Sequence, residues 1–184
     1  MSRFCCGVGI SMIALLFSCK LVTNANPSSR TVSAFRIVNG DISGWTEAAS
    51  SGYVAFTAST MNALVDGDAP KFTSEGMLEG FRQNLDGADS KTLEAFVMDF
   101  GTDSAALNMF IIKKNETSGY SAIPGYSDSV AIADLSGLGA CVTWAYFGRY
   151  FFKLTLGNYS DNTSKLNDAA LFLDYYKNKE KLLN

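Results

Sequence analysis

The stretch MLEGFRQNLDGADSKTLEAFVMDF, from Met77 to Phe100, decides how this chain folds. From Met77 to Leu85 the residues alternate, with Met77, Phe81 and Leu85 spaced by four and Leu78 on the other face. From Leu93 to Phe100 alternation resumes: Phe96, Met98 and Phe100 share one face, Leu93, Ala95 and Val97 the other. A period of two is the mark of a strand, whose side chains point to opposite faces in turn. Between the two runs lies Asp86-Gly87-Ala88-Asp89-Ser90, an Asp-Gly turn longer than the two-residue ideal. The spacing predicts an antiparallel hairpin.

Downstream, Gly101-Thr102-Asp103 caps a helix from Ser104 to about Ile112, with Asp103 as N-cap. Leu107, Phe110 and Ile111 fall at helical spacing there, and Lys113 and Lys114 suit the negative end of the helix dipole. Val130 to Leu135, Cys141 to Phe147 and Tyr150 to Leu156 read as strands. Gly148-Arg149 joins the last two as a type II′ turn, which needs Gly first. After Gly157, Ser164 is the expected N-cap of a long C-terminal helix with Leu166, Ala169, Ala170, Leu173 and Tyr176 in one stripe.

Upstream, Ala34 to Val38 alternates weakly as a short strand before the Asn39-Gly40-Asp41 turn, and Tyr53 to Thr57 reads as another. Two short helices follow, Met61 to Val65 closed by Asp66-Gly67, and Asp68 to Glu75 with Pro70 in its first turn. Strands and helices do not alternate as parallel units require. The expected class is α+β, an antiparallel sheet with helices packed on it and a long C-terminal helix.

The N-terminus reads as an export signal. Met1-Ser2-Arg3 is a short positive region and Phe4 to Phe17 is nearly all apolar, below the roughly 20 residues a spanning helix needs. Leu16-Phe17-Ser18-Cys19 resembles a bacterial lipobox, with Cys19 as the lipidation site and a lipid anchor to the membrane as its consequence. The competing reading is cleavage after Thr23-Asn24-Ala25, which yields a secreted soluble protein. The expected organisation is a signal peptide over 1–18, a Ser/Asn/Thr-rich tether over 19–33 and a single α+β domain over 34–184.

Composition narrows the function. The 184 residues are 47% hydrophobic and 18% charged, ordinary for a globular protein. Net charge is −3; loss of Arg3 with the signal leaves 14 basic against 18 acidic residues, or −4. No basic stripe is present to neutralise phosphates, so a nucleic-acid partner is not expected. Histidine is absent, which removes the commonest general base and transition-metal ligand. With Cys5 and Cys6 in the signal and Cys19 lipidated, Cys141 stands alone in an apolar strand and reads as a small buried hydrophobe.

Chemistry, if present, falls on few residues. Asp66-Gly67-Asp68 invites a calcium reading, but Pro70 and Lys71 stand where further oxygen ligands belong, and a helix cap and turn accounts for it. Asp99 and Asp103 flank a strand-to-helix turn and form a candidate carboxylate pair. The catalytic candidates are therefore Asp66, Asp68, Asp99 and Asp103. Trp144, Tyr146, Tyr150 and Phe152 are candidates for one aromatic face that stacks on a ligand, sheet packing being the plainer reading. Asn115, Asn158 and Asn162 head glycosylation sequons that matter only in a eukaryote. No metal site and no cofactor is expected.

Several motifs in order carry a resemblance: Gly44-Trp45; Leu64-Val65-Asp66-Gly67-Asp68-Ala69 with Phe72 and Gly76; Val97 to Thr102 leading to Ala105, Ala106 and Phe110; and Gly148-Arg149-Tyr150-Phe151. Over residues 44–176 the chain resembles an uncharacterised family of exported bacterial proteins with GW, L-x-x-x-I-D-G-x-A, Y-D-M-G-S-x-x-D-A-F-G and G-x-Y-Y-V motifs. It departs at Asp68 and Asn108, where that family often has Gly. The resemblance implies export and an α+β domain, and supplies no activity. The order of elements is also loosely similar to the PsbP/Mog1-like sandwich, an analogy of fold alone. The expected function is an envelope-tethered, non-enzymatic binding or accessory domain, in the periplasm or on the outer membrane, for a small molecule or an envelope protein. A carboxylate-based hydrolase or lyase and a carrier of hydrophobic ligands are the alternatives.

Overall fold

The computed structural model describes residues 31–49, 52–65 and 67–183. Its strands are β1 (Trp45–Glu47), β2 (Tyr53–Thr57), β3 (Glu79–Gly87), β4 (Thr92–Asp99), β5 (Ala131–Asp134), β6 (Cys141–Phe147) and β7 (Tyr150–Gly157). Its α-helices are α1 (Ala69–Ser74), α2 (Asp103–Glu116) and α3 (Asn162–Leu183). All strand pairs are antiparallel, in the order β1-β3-β4-β7-β6-β5. The free edge of β3 is shared: β1 pairs with Leu85 to Gly87 and β2 with Glu79 to Gln83. The expected α+β class, with an antiparallel sheet and a long C-terminal helix, is what the chain adopts.

From Phe81 to Phe100 the central hairpin keeps the faces its pattern predicts, while Met77 precedes β3 and packs in the cluster opposite Phe81 and Leu85. Phe81 faces Val97 and Leu85 faces Leu93 on one side; Gly80 faces Met98 and Arg82 faces Phe96 on the other. The turn is tighter than expected, because the Gly87 N–H donates to the Lys91 carbonyl at 2.8 Å and only Ala88 to Lys91 remain outside the strands. In the second hairpin Phe147 pairs with Tyr150 around Gly148-Arg149. Gly148 takes φ +54°, as the first position of a type II′ turn requires.

Both faces of the sheet are buried, but not equally. Under α3 the apolar residues Phe81, Leu85, Leu93, Val97, Phe152 and Leu156 form a layer that Ala169, Phe172, Leu173 and Tyr176 complete. Ring contacts stitch this layer together, Trp45 to Phe172 at 4.9 Å and Phe152 to Tyr176 at 5.0 Å between centroids. On the opposite face α1, α2 and the 3-10 turn Met61–Ala63 pack over Phe56, Met98 and Phe151.

Three local expectations are corrected. Residues 34–38 form no strand; Val32–Phe35 is a 3-10 turn, whose i,i+3 spacing buries Val32 and Phe35 together where alternation would expose one. The N-cap of α2 is Thr102, whose hydroxyl accepts the Ala105 N–H, and Asp103 is in the first turn. α3 begins at Asn162 because Asp161, not Ser164, supplies the capping oxygen, taking the Ser164 N–H at 2.7 Å.

The segment after the 3-10 turn is held by a buried side chain in place of a strand partner. The Gln83 carboxamide accepts from Ile37 N at 3.0 Å and donates to Ile37 O at 2.6 Å and to Glu47 at 3.0 Å. Gln83→Ala strands both backbone groups of Ile37 in a dry site. Urea unfolding should report a loss of about 2–6 kcal/mol, from about 1–3 for each of the two orphaned buried groups. A change below 1 kcal/mol, on the order of an ordinary surface substitution, would mean that water replaces the amide.

Candidate functional site

Antiparallel register sets one residue of each strand in rows across the face opposite α3. The first row is Phe56, Gly80, Met98, Phe151 and Tyr146. The second is Val54, Arg82, Phe96, Lys153, Trp144 and Ile132. The third is Asn84, Glu94, Thr155, Val142 and Asp134. Helices cover the first row, with Phe72 on Phe151 at 6.0 Å and Phe110 on Tyr146 at 5.4 Å. Every residue of the third row is partly exposed.

The cover stops short for a geometric reason. α2 leaves β4 through the Gly101-Thr102 turn, and its 14 residues span about 21 Å at 1.5 Å each. It packs on β6 and β7, with the six-residue α1 beside it toward the same end of the strands. At the other end of the strands a hollow of about 460 Å³ opens among Ala48, Asn84, Asp86, Thr92, Glu94 and Thr155.

The second row borders this open end and is rich in donors. Arg82 Nε and Trp144 Nε1 are buried and have no hydrogen-bond partner among the described residues. Lys153 Nζ lies 5.4 Å from the Phe96 ring centroid, and neither Lys153 nor Arg82 has an ion-pair partner among the described residues. Arg82, Glu94 and Lys153 were absent from the sequence candidates. The signal for them was parity: they sit at alternate positions in otherwise apolar strands, on the side that carries Phe96.

The candidate aspartates scatter. Asp66 lies outside the described residues. Asp68 makes no capping bond to α1. It binds Lys113 at 2.6 Å and Lys71 at 3.3 Å, while Glu116 holds Lys71 at 2.7 Å and Lys113 at 3.1 Å. This cluster staples α1 to α2, and Gly67 precedes it in the left-handed region at φ +73°, as the cap-and-turn reading expects. Asp99 is buried and accepts from Gly101 N at 2.7 Å and Arg149 Nη2 at 2.6 Å, tying the β4–α2 turn to the β6–β7 turn. Burial raises its carboxyl above the usual range, against the opposing pull of Gly101 N–H and Arg149. Asp103 is exposed in the first turn of α2. Among the described residues no three His, Cys, Asp or Glu converge as a metal would need.

The four aromatic candidates do not share a face. With Phe147 opposite Tyr150, Tyr146 pairs with Phe151, so Trp144 and Tyr146 face α2 while Tyr150 and Phe152 belong to the α3 core. A two-residue turn makes residues 146 and 151, not 146 and 150, neighbours on one side. Of the set, Trp144 alone stands in the row beside the open end. Cys141 is fully buried with its sulfur 3.6 Å from Thr143 Oγ1, and burial pushes its thiol up, away from the thiolate a nucleophile requires.

The fold has a solved counterpart. The extracellular domain of PknH from Mycobacterium tuberculosis superposes with a TM-score of 0.53 at 11% identity, over 82% of this chain and 94% of that one. At that identity the likeness is one of fold. Searches of protein families and of curated proteins find no match to the chain.

The ion cluster makes stability acid-sensitive. At Asp68 burial pushes the carboxyl up, but Lys113 and Lys71 outweigh it and hold it below its ordinary value. Glu116 is lowered chiefly by Lys71, with burial opposing and Lys113 adding. Groups lowered in the folded state contribute stability that is complete above the ordinary carboxylate range, about pH 4, and fades as pH falls through the lowered values. Urea unfolding of the parent and Asp68→Asn should therefore differ clearly at neutral pH and converge in strong acid. An equal gap at both would remove the carboxylate from the account.

Proposed function

We propose that this chain is a non-enzymatic binding or accessory domain of the bacterial envelope, exported and held on a membrane by lipid at Cys19, which takes its ligand on the open end of the sheet. The observation that carries the binding reading is the uncovered part of the face opposite α3, where Arg82 and Lys153 stand without acidic partners among the described residues. A hollow of about 460 Å³ lies within the range of small-molecule sites. Asp68 and Asp99 are committed to Lys113 and Arg149, which leaves the carboxylate-based hydrolase or lyase reading without a free pair among the described residues. The lipobox-like Leu16-Phe17-Ser18-Cys19 and the polar tether after it support the anchored location, and an extracellular domain of like fold suits it.

A fragment library screened by amide NMR tests the face. Shifts should cluster at Arg82, Glu94, Lys153 and Thr155, and Thr155→Trp, which fills the hollow from a partly exposed position, should abolish them. Shifts that cluster elsewhere, or that survive the tryptophan, overturn the assignment. For the anchor, mass spectrometry of the mature N-terminus should find diacylglycerol on Cys19; an unmodified start at Asn26 overturns it.

A further inference from the structure

We infer that the open end of the sheet takes a small molecule bearing a carboxylate or phosphate group, with Arg82 and Lys153 as the cations that receive it. This rests on the reading of that face as the binding site and adds the chemistry of what binds there.

Charge pairing is the first argument. Arg36, Lys71, Lys91, Lys113, Lys114 and Arg149 each have a carboxylate within 4 Å. Arg82 and Lys153 are partly buried in the sheet and have none among the described residues. A charge withdrawn from water without a partner is unfavourable, and an incoming anion relieves it.

Geometry is the second. Arg82 on β3 and Lys153 on β7 flank Phe96 on the strand between them. Two strand spacings set their backbones about 9.5 Å apart, at roughly 4.7–4.9 Å each. Lys153 Nζ lies 5.4 Å from the centroid of the buried Phe96 ring, on the side of Phe96 away from Arg82's strand, so an oxyanion at the rim between the two strands faces a cation on either side. Arg82 also presents a buried Nε–H with no partner among the described residues, the inner tooth of the fork that grips a carboxylate or phosphate through two parallel bonds. Trp144 Nε1, in the same row next to Lys153, is a further unmatched donor. The second row thus offers donors and no acceptors.

The adjoining row differs in kind. Glu94 and Thr155 neighbour Phe96 and Lys153 along their strands and line the hollow. A carboxylate and a hydroxyl there accept from hydroxyl or amino groups and oppose a second negative charge. The ligand that fits both rows is a compact molecule with its anionic end between Arg82 and Lys153 and hydrogen-bond donors toward Glu94.

Glucose 6-phosphate and glucose share their hydroxyls and differ in the anion, which makes them a matched pair of probes; gluconate, with one carboxylate and the same kind of hydroxyls, adds a carboxylate case. In amide NMR titrations of the full chain, glucose 6-phosphate or gluconate should shift Arg82, Glu94, Phe96 and Lys153, and glucose should not. Arg82→Gln and Lys153→Gln should each weaken binding about tenfold, the scale of one charge-assisted hydrogen bond. Lys181→Gln, an exposed lysine on α3, should leave it unchanged. If Arg82→Gln fails to fold, Lys153→Gln decides, since its ammonium lies over the Phe96 ring and makes no hydrogen bond or ion pair among the described residues. Equal binding of glucose at these amides keeps the face and sinks the anion. Anion binding that survives both substitutions, or that weakens equally with Lys181→Gln, is general ionic attraction and sinks it too. If the fragment screen finds ligands for the face while no anion shifts it, the inference fails alone; if no molecule of either set shifts it, both fail.

Discussion

Unequal cover of a two-faced sheet is the constraint from which the rest of this structure follows. The central strands β4 and β7 are hydrophobic toward both sides, so neither side can be left to water along its whole length. On one side the 22-residue helix α3, about 33 Å long at 1.5 Å per residue, covers the layer from Leu85 and Leu156 to Phe147. On the other, α1 and α2 meet the sheet toward the end where β4 passes into α2. The burial of β4 records the difference: from Ala95 onward every residue is buried, while Thr92 is exposed and Glu94 partly so.

That asymmetry makes charged pairs the fasteners of the helix-covered end. Asp99 and Arg149 tie two turns that are 50 residues apart in the chain, and the Asp68–Lys113 cluster ties α1 to α2. Such pairs add little net stability over a hydrophobic equivalent, but breaking one partner leaves a charge stranded, so they fix geometry more than they add energy. Gln83 does the same with an amide, holding Ile37 as a strand partner would. These polar groups stand at junctions between elements, which is why they read as structure and not as chemistry.

The open end obeys the opposite logic. Arg82 and Lys153 are at positions where the face passes from apolar cover to solvent, and there the sheet carries charges without acidic partners among the described residues. A cation poised at such a boundary keeps part of its hydration in the empty protein and gains most when an anion arrives in the low-dielectric rim. The same residues, moved one row toward α2, would be buried charges and would destabilise the domain; moved one row outward, they would be solvated surface.

The amino-acid sequence by itself determined the elements whose signal is local. The parity of residues 77–100, the Gly148-Arg149 turn and the stripe of α3 were legible because each depends on neighbours within a few residues. Even the split of Trp144 and Tyr146 from Tyr150 and Phe152 was implicit in the length of the turn between them. What tertiary structure alone decided is which parity each helix covers and where the cover ends. Gln83 and Arg82 are adjacent polar residues in one strand, yet one is a dry strut under the Val32–Phe35 turn and the other borders the open face. Gln83 answers to Ile37, 46 residues away, and Arg82 to a helical cover built outside its own hairpin, and a pattern of period two records that faces differ without recording what comes to lie on each.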